Sequence, residues 1–325
     1  MNRFLPLVAS ALLGLAAAPT PAQSDAARGF PDRPLRIVVP FGAAGGTTAV
    51  ARVIAAKASE SMGQPVIVEP KPGAQGIVAV EFVRKAAPDG YTILIGTVGP
   101  IAVNPAIYAN LPYQPLRDLT PVTLIGTYPL LLVVNASLPV RSVRELIAYA
   151  TARPDKVNYG ATGAISQLMS EHFNQRTGTR FVHIPYKSSG DFVTAVLANE
   201  VTMVFSDIPP LSGHVQAGKL RALAITSTGR HRAWPDVPTM AEAGVSEFVF
   251  ELWNGFLVPG GTPAPIVARL HAEFARAIAA PDARERLEAL GIDPVGMAGD
   301  EFGKVIAADI ARFGAVAKAA NVKAD

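Results

Sequence analysis

The stretch DLTPVTLIGTYPLLLVVN, residues 118–135, decides how the chain is organised. It is longer than an ordinary strand of about 5–6 residues. Most of it is apolar without alternation, the pattern of a strand buried on both faces. A run of this length is able to leave one sheet and enter another. A second stretch, FVFELWNGFLVP at 248–259, is placed to carry the chain back. Two crossings predict a discontinuous first lobe, 30–130 plus 253–325, and a continuous second lobe, 131–252, with a cleft between them.

Outward from this run, short β-branched segments alternate with helix-length amphipathic ones. Strands are expected at 35–39, 65–69, 91–96, 122–134, 157–159, 181–184, 201–205 and 220–226. Helices are expected at 49–62, with Val50, Val53, Ile54 and Ala58 on one face, at 143–152, and at 265–290 and 300–320. Ser142 and Glu145 have the S-x-x-E spacing of a capping box. Alternation of this kind defines an α/β protein with mainly parallel sheets flanked by helices. No repeat of fixed period is present.

The 325 residues are 50% apolar and 17% charged, enough for a large core and unlike a disordered chain. Residues 1–22 hold a basic start at Arg3, an apolar run at 4–18 too short to span a bilayer, and the small-residue end Thr20-Pro21-Ala22. This is the pattern of a secretory signal peptide cut after Ala22, so the mature protein is expected in the periplasm. Cysteine is absent, which excludes disulfides, thiol catalysis and a lipidated N-terminal cysteine. Loss of residues 1–22, whose only charged side chain is Arg3, lowers the formal net charge from +3 to +2. With basic residues scattered, nucleic acid is not an expected partner.

In open α/β sheets ligands lie beyond the carboxyl ends of the strands. The loop PFGAAGGTTAVAR at 40–52 has that position. Gly42, Gly45 and Gly46 admit a ligand close to the backbone, Thr47 and Thr48 add hydroxyls, and helix-start amides favour an anion. As a nucleotide loop it fails: it has no lysine of the G-x-x-x-x-G-K-[ST] kind, and Pro40 stands where G-x-G-x-x-G needs its first glycine. A small-anion loop and a plain turn are the readings left. Similar junctions follow at 96–99, 159–166, 185–190 and 205–209. Each alone is compatible with a capped turn; their recurrence in both halves points to one shared cleft.

Catalytic patterns are weak. His172, His183, His214, His231 and His271 show no H-E-x-x-H spacing, and no G-x-S-x-G elbow is present. Surface or cap roles are expected for His172 and His271, domain-edge packing for Glu251, and either solvation or an anionic partner for Lys187. No catalytic residue, cofactor or metal is expected.

Several ordered blocks carry a resemblance. FPDRPLRIVVPF at 30–41 with the Gly45-Gly46-Thr47 turn, AAPDGYTILIGTVG at 86–99, LPYQPLRDLTPVTLI at 111–125, VHIPYK at 182–187, AGKLRALAITS at 217–227, WPDVPTMAEAG at 234–244 and GTPAPIVARL at 261–270 together resemble the substrate-binding proteins of tripartite tricarboxylate transporters, the Bug-type family. The resemblance spans essentially the whole mature chain. It implies a type II periplasmic binding-protein fold, whose two lobes close around a small organic carboxylate and deliver it to an integral-membrane permease. By motif it implies ligand contacts at Phe41, Ala44, Gly45, Gly46, Thr47, Thr48, Thr97, Thr162, Gly163 and Ser166, with Asp207 on the opposing lobe.

Two departures from the family pattern stand out. Thr48 replaces an aspartate expected after Gly-Gly-Thr, which on this reading removes a partner for an amino-acid ammonium. The 159–171 segment is two residues short and has Gln167 where the family has histidine. The expectation is thus a monomeric solute receptor for a small mono- or dicarboxylate, not an enzyme. Two alternatives stay open: an exported enzyme using Asp207 or Glu251 as a base, and a sensory subunit that contacts a sensor kinase.

Overall fold

The structure, a computed structural model, describes residues 28–43, 45–186 and 188–324. The predicted signal peptide and its cleavage site, Ala44 and Lys187 lie outside the described residues. Among the described residues no helix is long and apolar enough to cross a membrane.

Apolar runs become strands, and the longest of them ties two sheets together. β1 (Leu35–Val39) lies in parallel between β2 (Val66–Pro70) and β3 (Thr92–Thr97). β4 (Leu119–Asn135) runs for 17 residues. Over 119–129 it pairs antiparallel with β9 (Glu251–Pro259), which also lies antiparallel to β3. Over 130–135 it pairs antiparallel with β7 (Met203–Asp207) and β8 (Leu220–Ile225). β7 is parallel to β5 (Asn158–Ala161), and β5 to β6 (Val182–Pro185). Among the described strands, parallel pairing is therefore confined to the trios β2-β1-β3 and β7-β5-β6. The crossing strands and β8 join antiparallel.

One strand was not anticipated. β10 (Asp293–Ala298), sequence DPVGMA, pairs antiparallel with β4 around a register shift. Its proline and glycine read locally as a turn, and the long partner strand overrides that preference.

Each sheet is covered on both faces, and the period of two along the strands shows it. Leu131 and Val133 join one core with Phe192, Val196 and Leu211, whereas Leu130, Leu132 and Val134 join another with Leu146, Met169 and Phe173. In the first sheet, Leu35, Ile37 and Val39 pack with Val50, Ile54 and Phe274, while Val38 faces the opposite core.

Nine helices of eight or more residues are found among the described residues: α1 (Gly46–Met62), α2 (Ile77–Arg84), α3 (Val143–Thr151), α4 (Gly163–Thr177), α5 (Ser189–Leu197), α6 (Ile208–Gln216), α7 (Ala264–Ala279), α8 (Pro281–Ala289) and α9 (Gly299–Ala320). At α3 the Ser142 hydroxyl accepts from the Glu145 amide at 3.1 Å, but the Glu145 carboxylate turns back onto the Arg141 amide rather than that of Ser142. The reciprocal capping box is found instead at α5, between Ser188 and Asp191. α9 buries Phe302, Ile306, Phe313 and Val316 in the core shared by both sheets. It thereby leans on the strands where the chain crosses.

Candidate ligand-binding cleft

The glycine-rich loop after β1 is closed by its own backbone and two side chains. The Gly45 amide donates to the Gly42 carbonyl at 3.0 Å, the Thr48 hydroxyl donates to the same carbonyl at 2.9 Å, and Arg52 donates to the Ala43 carbonyl at 3.1 Å. The first i to i−4 bond of α1 runs from the Ala49 amide to the Gly45 carbonyl. The amides of Gly46, Thr47 and Thr48 precede it, so the helix supplies them no acceptor.

Across from this loop, Gly163 opens α4 with φ +66°, a conformation that favours glycine. Ser166 ties the turn together: its hydroxyl accepts from the Thr162 amide at 2.9 Å and donates to the Thr162 carbonyl at 2.8 Å. Gln75 reaches over from the turn after β2, and a Cβ built on Gly163 would lie 3.1 Å from Gln75 Oε1. The Gln75 carbonyl is itself held by the buried Asn104 amide group at 3.1 Å.

Two chambers result. The smaller, about 160 Å³, brings together Phe41, Thr47, Thr97, Thr162 and Gly163, with Gln75, Asn104, Tyr128 and Leu252 completing it. The larger, about 300 Å³, is lined by Gly46, Thr47, Tyr128, Ser189, Asp207 and Asn254 among others. Thr47 and Tyr128 belong to both walls, so the chambers adjoin there.

Two candidates take other places. Thr48 is fully buried, with its hydroxyl committed to Gly42, and lines neither chamber. Its side chain shapes the loop from behind, away from both cavities. Ser166 is 6% exposed, and its hydroxyl is spent on Thr162. Gly45 is the N-cap of α1 and contributes backbone only.

Asp207 sits in the larger chamber. Water reaches its carboxyl, yet the protein mass on either side pushes it up to about 6 by desolvation. Tyr128, whose phenol is pushed up first by burial and then by the Asp207 charge, faces the same space. The histidines stand elsewhere. His172 is not a surface or cap residue; it stacks on Phe248 at 5.4 Å and meets Phe250 edge-on at 5.6 Å, and burial lowers its pKa. His271 Nδ1 is 2.9 Å from the Thr123 hydroxyl. Glu251 accepts from the Thr228 amide and hydroxyl. Among the described residues no group of three or more His, Cys, Asp or Glu could hold a metal ion.

Sequence reasoning missed Gln75, Asn104, Tyr128 and Asn254. Gln75 carried a usable signal, since Gly73 and Gly76 flank it in a turn directly after a strand. The other three are placed by strand pairing and packing, which no local pattern records.

A two-lobed α/β fold with its cleft at the strand ends, gripped by helix starts from both sheets, defines the class of extracytoplasmic binding proteins. The profile of the family described as tripartite tricarboxylate transporter family receptor matches residues 50–322, and the chain belongs to that family. It is 37% identical to the BugT protein of Bordetella pertussis over 297 residues, 90% of this chain and 91% of the relative. Among solved structures, a protein of R. palustris with adipate has TM-score 0.81 and 35% identity, covering 90% of this chain and 99% of that one. MatC from Rhodopseudomonas palustris with bound malate has TM-score 0.77 and 32% identity, covering 88% of this chain and 99% of that one. The protein is a periplasmic solute receptor of this transporter family rather than an enzyme.

Proposed function

We propose that the protein captures a small organic carboxylate in the cleft and hands it to the integral-membrane permease of a tripartite tricarboxylate transporter. The observation that carries this reading is the smaller chamber, where the loop at the start of α1 and the turn at the start of α4 converge from two different sheets. Helix-start amides and hydroxyls there suit an anion without a charged side chain. The two relatives solved with adipate and with malate support an acid as the cargo.

In this reading Phe41, Gly46, Thr47, Thr97, Thr162 and Gly163 meet the ligand, Ala44 and Gly45 belong to the same loop, Thr48 and Ser166 hold the two loops in shape, and Asp207 faces the ligand's far end. The lobes are 30–130 plus 253–325 and 131–252, and closure rotates them about β4 and β9. Residues 1–22 are the export signal, cut after Ala22, and the mature chain acts as a monomer. Native mass spectrometry of freshly purified protein, followed by thermal melts against a panel of carboxylates, tests this. A co-purified acid or a saturable rise in melting temperature is expected. If no carboxylate co-purifies and none shifts the melt, the reading fails.

A further inference from the structure

Among the described residues, the larger chamber carries one carboxyl, Asp207, beside the hydroxyls of Thr47, Tyr128 and Ser189. On one wall Asn254 is 2% exposed, and its Oδ1 is buried without a hydrogen-bond partner in the protein. That oxygen is closed to the cavity, which leaves Asp207 as the wall's anionic acceptor.

Asp207 stands on the same chamber's wall at the N-cap of α6. An aspartate there normally accepts from the second or third helical amide. In α6 those positions are Pro209 and Pro210, which have no N–H. The carboxyl consequently makes no capping bond and stays available to the cleft. The described wall of this chamber contains no lysine, arginine or histidine.

We infer that the ligand is a monocarboxylate whose far end carries a hydrogen-bond donor, a hydroxyl or amino group, and that Asp207 selects it over dicarboxylates. This rests on the carboxylate-receptor reading, with the acid group in the smaller chamber and the ligand's tail passing between Thr47 and Tyr128. A donor arriving in the larger chamber meets the Asp207 carboxylate. A second ligand carboxylate meets a like charge in a cavity partly closed to water, where repulsion is weakly screened.

The test is calorimetric titration at pH 7.5 of the wild-type protein and the Asp207→Asn variant with matched acids. Succinate is set against γ-hydroxybutyrate and γ-aminobutyrate, and adipate against ε-hydroxycaproate and ε-aminocaproate. In the wild type the donor-ended acid binds about tenfold tighter or better than the dicarboxylate of equal length. In Asp207→Asn that preference shrinks by about tenfold, because the dicarboxylate gains. Tighter binding of a dicarboxylate by the wild type, or a preference that Asp207→Asn leaves unchanged, overturns the inference while keeping the receptor reading. Failure of every acid to bind overturns the receptor reading itself, and the inference with it.

Discussion

At the residue scale, Thr48 shows how a hydroxyl beside a binding loop can serve the loop without touching the ligand. Its side chain is buried and its bond to Gly42 is internal to the loop. Thr48→Val keeps the shape and leaves that carbonyl with the Gly45 amide alone, so a urea melt should show a loss of about 1 kcal/mol. Thr48→Asp places a carboxylate behind the loop and should lower the melting temperature without changing ligand selectivity. The position was legible in principle. Thr48, Ala51, Ala55, Ala58 and Met62 form one helical stripe, all of them buried. Reading the stripe from Val50, Val53, Ile54 and Ala58 left Thr48 on the wrong side of it.

Asp207 gives the residue-scale prediction with a pH sign. Its folded pKa, about 6, lies above the usual aspartate value of 3.8. The unfolded chain then releases its proton first, and between those two values the folded state binds more protons. Stability contributed by this site therefore falls as pH rises through that window and stays low above it. Asp207→Asn should raise the melting temperature at pH 7.5 and leave it nearly unchanged below about pH 4. An equal shift at both pH values would remove desolvation as the cause.

At the scale of elements, the second crossing is pinned by α9. Trp253 Nε1 donates to Asp309 Oδ2 at 2.8 Å, and Arg312 donates to Asp309 Oδ1 at 2.8 Å. Arg312 also donates to the Val249 carbonyl and lies 4.9 Å from the Phe250 ring centroid and 4.8 Å from that of Phe313. Asp309→Ala strands the indole N–H and the guanidinium together, and a urea melt should show a loss of about 3 kcal/mol. A loss under about 1 kcal/mol would mean the crossing is held by packing alone. The two crossing strands were readable from their length and unbroken apolar pattern. The clamp was not, because its partners stand 56 residues apart in Trp253 and Asp309 and meet only once α9 has packed. β10 escaped notice for a related reason: its pairing partner, not its own composition, makes it a strand.

At the scale of the whole molecule, the proposed closure makes ligand affinity depend on how well the two sheets approach across the cleft. Gln75 and Gly163 come from opposite sides, and the space above Gly163 is too tight for a Cβ without movement of the Gln75 side chain. Gly163→Ala has two separable effects. The positive φ strains alanine wherever the lobes stand, by about 1 kcal/mol, and so lowers stability. The contact with Gln75 spans the cleft, so on the closure proposed above the clash opposes the closed form and lowers affinity as well. In a Gln75→Ala background the stability loss from Gly163→Ala should persist, whereas its effect on affinity should largely disappear, a coupling of about 0.5 kcal/mol or more in a double-mutant cycle. Calorimetric titrations and ligand-free melts of the four proteins read the two effects separately. Additive affinities across the cycle would mean that Gln75 and Gly163 do not meet in the ligand-bound form, and that closure brings the two sheets together along another line.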